Sequence, residues 1–105
     1  VERVGRLQKP EHVVESFTAK ERIFVENLAG MELQEETLRI WCAKEAAAKY
    51  FGVGLQGEPS LFEVSFSDDA HSLAEVKYGQ HSTAVNVSLN NDYVLALARQ
   101  KRLVN

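Results

Sequence analysis

The chain has 105 residues, 45% of them hydrophobic, with 12 Lys and Arg against 15 Asp and Glu and a formal net charge of -3. That length fits one domain with no room for a second. The charge balance lacks the basic excess of a nucleic-acid-binding surface, and no apolar run approaches the roughly 20 residues of a membrane span. A lone cysteine, Cys42, rules out an internal disulfide and fits a reducing, cytoplasmic compartment.

Val1-Glu2-Arg3-Val4 reads as the end of a strand. With Val in first place, the chain reads as a piece cut from a longer protein or as a processed one. Lys9 to Phe17 predicts a short helix opened by Pro10 in its first turn. Thr18-Ala19-Lys20-Glu21 then fits a capping box, with Thr18 as N-cap and Glu21 reaching back to its amide. The helix it starts is expected to run to about Leu28, burying Ile23, Phe24 and Leu28, with Ala29-Gly30 ending it. A long central helix from about Gln34 to Phe51 follows. Leu38, Trp41, Cys42 and Ala46 give it an apolar stripe, and Glu32, Glu35 and Glu36 suit its positive end. Gly52 stands where such a helix needs its left-handed stop. On that stripe Cys42 is a small buried apolar residue rather than a nucleophile, because no histidine is near it in the chain.

From there the period changes to two. Leu61 to Phe66 alternates with Phe62, Val64 and Phe66 on one face, and Ser67 to His71 is a turn. Ser72 to Tyr78 forms a second strand through Ala74, Val76 and Tyr78, and Gly79 to Ser82 turns again. Thr83 to Leu89 alternates through Val85, Val87 and Leu89, Asn90-Asn91 supports a tight turn, and Asp92 to Ala98 gives the last strand. Short turns between successive strands mean an antiparallel meander packed on one side by the helices, an α+β domain over residues 1–105. His12, His71 and His81 are isolated, at spacings that suit no common metal site, and read as surface or turn residues.

The chemistry concentrates in the central helix. On a helical wheel Trp41, Lys44, Glu45 and Ala48 share one side, and Lys49 follows Glu45 by four. Two lysines bracketing a glutamate could hold a metal ion and a phosphate together, carboxylate oxygen suiting a hard cation and ammonium suiting phosphate oxygens. By spacing alone, Glu45 and Lys49 are equally an ordinary surface pair worth about 0.3 kcal/mol. Gly52-Val53-Gly54 is too short a pattern to define a phosphate loop.

Trp41-x-x-Lys44-Glu45-Ala46-x-x-Lys49, followed by Gly52-x-Gly54-Leu55, closely resembles the signature of the 4′-phosphopantetheinyl transferases. These enzymes move the phosphopantetheine arm of coenzyme A onto a serine of a carrier protein. Phe17-Thr18-x-x-Glu21 resembles a second segment of that family, and Val1-Glu2 falls on the last two positions of its Gly-x-Asp-x-Glu motif. The motif's aspartate would precede Val1. Val85 to Tyr93 resembles the Val-Ser-Leu-Ser-His-x-x-Asp-Tyr turn of the small holo-acyl-carrier-protein synthases, here shorter and without its histidine.

The resemblance implies that family's α+β fold, with the following roles. Glu45 would be a magnesium ligand and Glu2 a possible second. Lys44 and Lys49 would hold phosphate oxygens of coenzyme A, Lys49 also aiding proton transfer or charge neutralisation. Gly52 and Gly54 would lie near the nucleotide, and Trp41 at the root of the site. Basic residues of the first third, Arg3, Arg6, Lys9 and Arg22, would meet an acidic acyl or peptidyl carrier protein. Small family members form homotrimers, and others are terminal domains of fatty-acid and polyketide synthases. The alternative is a degenerate member that binds carrier protein or coenzyme A and transfers nothing, or a purely structural module of the same fold.

Overall fold

The computed structural model describes residues 2–3, 15–53, 58–90 and 93–99. Thr18 opens helix α1 (Ala19–Val25) with the expected capping box. Glu21 N–H donates to Thr18 Oγ1 at 3.2 Å, and Thr18 N–H donates to Glu21 Oε1 at 2.8 Å. The helix stops at Val25 rather than near Leu28, and it is rotated from the expected face. Glu21 and Val25 point inward, while Ile23 and Phe24 lie outside, 65% and 38% exposed. Glu21 has a buried cationic partner to reach, and the residue one turn further along the same face is Val25. Leu28 packs half-buried against the core. Of the helix expected over Lys9–Phe17, residues 9–14 lie outside the described residues, and Glu15 to Phe17 form a turn.

Helix α2 runs Gly30–Phe51, starting at Gly30 rather than Gln34. Met31, Glu32 and Leu33 are compatible with helix, Glu32 sits in the first turn where its charge opposes the dipole, and Leu33 packs onto the core. Its inward side carries Leu38, Ile40, Cys42, Ala43, Lys44, Ala47 and Ala48, with Trp41 and Ala46 half-buried at the rim. Gly52 ends the helix in the left-handed conformation (φ 74). Its N–H donates to Lys49 O at 3.1 Å and Val53 N–H donates to Ala48 O at 2.9 Å, which satisfies carbonyls the last turn would leave bare.

After a 3-10 turn at Pro59–Leu61 come β2 (Phe62–Phe66), β3 (Leu73–Tyr78), β4 (His81–Asn90) and β5 (Tyr93–Arg99). With β1 (Glu2–Arg3) they make one antiparallel sheet in the order β1-β5-β4-β3-β2. The meander and the α+β class are therefore as the sequence implied. The added feature is the placement of the first strand on the far edge beside the last. Asp68 builds the β2–β3 turn: its carboxylate accepts the Ser72 and Leu73 N–H groups, each at 2.9 Å, and the Ser72 hydroxyl. Between β3 and β4, Tyr78 pairs with His81 across a two-residue loop in which Gly79 has φ 61, the conformation that favours glycine there.

Phe62, Val64, Ala74, Val76, Thr83, Val85, Val87 and Val94 fill the face of the sheet under α2, which lies mainly on β5 and β4. Cys42 is buried among them. The opposite face carries half-exposed Leu73 and Leu97, both directly opposite Asn86 in register. No helix among the described residues is long and apolar enough to cross a membrane.

Candidate functional site

The uninterrupted helix formers from Trp41 to Lys49 make α2 a rigid rod, and its rotation about its own axis decides what each charged residue can do. Glu45 is half-buried at the rim and Lys49 is exposed one turn later, just before the Gly52 stop. The i, i+4 spacing thus places a carboxylate and an ammonium on one accessible edge. Trp41 lies half-buried one turn before Glu45 on the same edge. Glu2 occupies the register position opposite Val94 of β5, the strand on which α2 rests. Gly54 lies outside the described residues.

Lys44 departs from the role that the resemblance implies. Its side chain is 0% exposed, and its ammonium donates to Glu21 Oε1 at 2.7 Å, Phe62 O at 2.7 Å and Pro59 O at 2.9 Å. An ammonium has three hydrogens, so this set uses all of them and leaves none for a phosphate oxygen. The Phe17 ring lies 5.1 Å from the same nitrogen. Burial pushes the Lys44 pKa down, and the hydrogen bond and negative charge of Glu21 work against that push. Trp41 and Glu45 therefore share the rim, while Lys44 and Ala48, placed with them on the wheel, point into the core.

Glu21 is the residue that sequence reasoning missed. Oε1 accepts from Lys44 and from Thr18 N–H, and Oε2 accepts from Val64 N–H at 2.6 Å. The available signal was the Phe17-Thr18-x-x-Glu21 segment itself: its Phe, Thr and Glu all prove to surround or brace the Lys44 ammonium. A capping-box glutamate is ordinarily solvent-facing, and only the second charge buried beside it reveals the difference.

His71 is a turn residue, as the sequence implied, yet a well-tethered one. It adopts φ 54, its Nδ1 lies 3.0 Å from Glu36 Oε2, and Arg39 Nη1 donates to its carbonyl at 3.0 Å. Its ring lies against Phe24 and Phe66, at centroid distances of 4.9 and 5.1 Å. Here α1 and the β2–β3 turn border an open groove of about 540 Å³, which neither Glu45 nor Lys49 lines. Among the described residues no group of three or more His, Cys, Asp or Glu side chains gathers as a ready metal cage.

The family model described as the 4′-phosphopantetheinyl transferase superfamily matches residues 1–98. Curated relatives include the holo-[acyl-carrier-protein] synthase of Campylobacter jejuni subsp. doylei, 29% identical over 89 residues, which span 77% of this chain and 72% of the relative. The protein of the same name from Campylobacter jejuni subsp. jejuni serotype O:2 is 30% identical over 86 residues, 74% of this chain and 70% of the relative. No solved structure matches the chain significantly.

Proposed function

The chain belongs to the 4′-phosphopantetheinyl transferase superfamily, and from that premise we propose that it transfers the 4′-phosphopantetheine group of coenzyme A to a serine of an acyl or peptidyl carrier protein. The observation that carries this reading is the accessible edge of α2, where Glu45 and Lys49 stand one turn apart beside the Gly52 stop. In the transfer the serine oxygen forms a new bond to phosphorus of the pyrophosphate. The bond to the nucleotide half breaks, adenosine 3′,5′-bisphosphate departs with that electron pair, and the serine proton passes to solvent water.

The difficulty lies in bringing an oxygen nucleophile to a phosphorus centre already crowded with negative charge. Lys49 meets this by holding phosphate oxygens and neutralising charge as it builds. Gly52 lets the backbone turn sharply next to the nucleotide, and Gly54 is the second glycine assigned to that part of the site. The groups that would hold a cation are carboxylates, Glu45 with Glu2 as the second, and so few protein ligands suit a hard ion that keeps several waters, as magnesium does. When bound, magnesium would supply Lewis-acid stabilisation of the phosphoryl oxygens. Lys44 is assigned a bracing role behind Glu45 in place of phosphate binding, because its hydrogens are already used.

Self-association into a homotrimer fits the open face of the sheet. Half-exposed Leu73 and Leu97 flank Asn86, whose Oδ1 is buried without a hydrogen-bond partner among the described residues. An apolar strip around an unmet acceptor is what a second copy would cover and satisfy.

The test is mass spectrometry of an apo carrier protein incubated with the chain, coenzyme A and magnesium. The expected result is a gain of one phosphopantetheine mass that disappears in Glu45→Ala. Undiminished transfer by Glu45→Ala would sink the site assignment. Binding of coenzyme A by calorimetry without any transfer would instead favour the degenerate member.

A further inference from the structure

Taking an ion pair out of water costs several kcal/mol per charge before the partners repay it, so an apolar pair usually serves stability as well or better. The Glu21–Lys44 pair is 0% exposed on both sides. Its contacts reach three separate pieces of the chain. Glu21 accepts from Thr18 at the start of α1 and from Val64 in β2, and Lys44 donates to Pro59 in the 3-10 turn and Phe62 in β2. Both charges thus have their hydrogen bonds met by groups that differ in direction, which fixes the ammonium at one point in space.

The packing around it shows why that point matters. The buried neighbours of Glu45 on α2 are Cys42, Ala43, Ala47 and Ala48, all small. Small side chains let this stretch of the helix lie close to the sheet, and the larger buried knobs, Leu38 and Ile40, sit a turn or more before Glu45, so the rotation at Glu45 itself is held by what lies beside it. Lys44 is the one long side chain on that stretch of the buried face. Successive residues on an α-helix are about 100° apart, so pinning Lys44 inward sets the direction of Glu45 and, one turn later, of Lys49.

We infer that Glu21 and Lys44 are positioning residues for the transfer: their buried ion pair fixes the rotation of α2 that presents Glu45 and Lys49 to coenzyme A and the metal. The inference rests on the transferase reading of the preceding subsection. Neither residue touches substrate. Their effect passes through the backbone to the group beside them, as residues behind a metal ligand commonly tune it by about 10- to 100-fold.

The test compares Glu21→Asp, which keeps the charge and shortens the arm, with Val85→Ala, a core truncation under the sheet that serves as a stability-matched control. Both are made in the full chain and followed by melting temperature, kcat and KM, and by calorimetric titration of magnesium in the presence of coenzyme A. Glu21→Asp is expected to lose about tenfold or more in kcat and in magnesium affinity, with KM for the carrier protein unchanged. Val85→Ala should lose melting temperature alone. Equal behaviour of the two variants overturns the positioning role and leaves the pair as a fold element. If Glu21→Asp does not fold, Lys44→Arg is measured in the same way; failure of both to fold likewise overturns positioning. A wild-type chain that transfers nothing refutes the transferase reading and this inference together, whereas an active wild type with an unimpaired Glu21→Asp refutes this inference alone.

Discussion

Lys44→Met separates a bracing ammonium from a phosphate-binding one. The substitution keeps the length of the side chain and removes its charge and three hydrogens. Glu21 is then a buried carboxylate without its cation, a loss of about 3–5 kcal/mol for a broken buried pair. Pro59 O and Phe62 O each lose a donor, at about 1 kcal/mol apiece in the lower range. Thr18 and Val64 N–H still donate to Glu21, and effects within one network do not add, so the net cost is about 3–6 kcal/mol. A domain of this size has only about 5–15 kcal/mol in all, so the variant should be close to unfolding. Exposed Lys49→Met, by contrast, should change stability by less than about 0.5 kcal/mol and weaken coenzyme A binding. Urea titration followed by circular dichroism and Trp41 fluorescence, compared at unchanged slope, reads the difference directly. A Lys44→Met midpoint equal to that of Lys49→Met, together with weakened coenzyme A binding, would refute the bracing role and return Lys44 to the phosphate site.

Leu97→Arg places a charge on the open face of the sheet while leaving the helix-facing core intact. Sedimentation should show the wild-type oligomer dissociating to monomers with little change in melting temperature, and a wild-type chain already monomeric would refute the reading of that face. The Asp68 carboxyl is held below its ordinary value of 3.8, first by the Ser72 hydroxyl and then by the Leu73 amide. A carboxyl lowered in the folded state contributes stability that is present above its unfolded value and lost as pH falls through the folded one. Protection factors at the Ser72 and Leu73 amides should therefore fall only as pH drops below the ordinary carboxylate range in the wild type, and should already be low at neutral pH in Asp68→Asn. Protection in Asp68→Asn equal to wild type would show that the turn stands without that carboxylate.

What the sequence determined is what short-range chemistry decides. Thr18 and Glu21 meet across one helical turn, Gly52 supplies a left-handed stop that residues with a Cβ disfavour, and alternation in Phe62–Phe66, Leu73–Tyr78 and Thr83–Leu89 selects a buried face without reference to the rest of the chain. The tertiary structure alone decided the questions that depend on a partner distant in sequence. In α1, Ile23 and Phe24 are more apolar than Glu21, and local hydrophobicity would bury them. The helix turns the other way because the Lys44 ammonium, on another helix, can be buried only with a countercharge. The same fact divides the Lys-Glu signature: Lys44 is claimed by the core, and Glu45 and Lys49 keep the accessible edge. A wheel places these residues relative to one another, but only the sheet, the 3-10 turn and Glu21 give that wheel its zero, since burial of a charge is a property of both partners and of no single stretch.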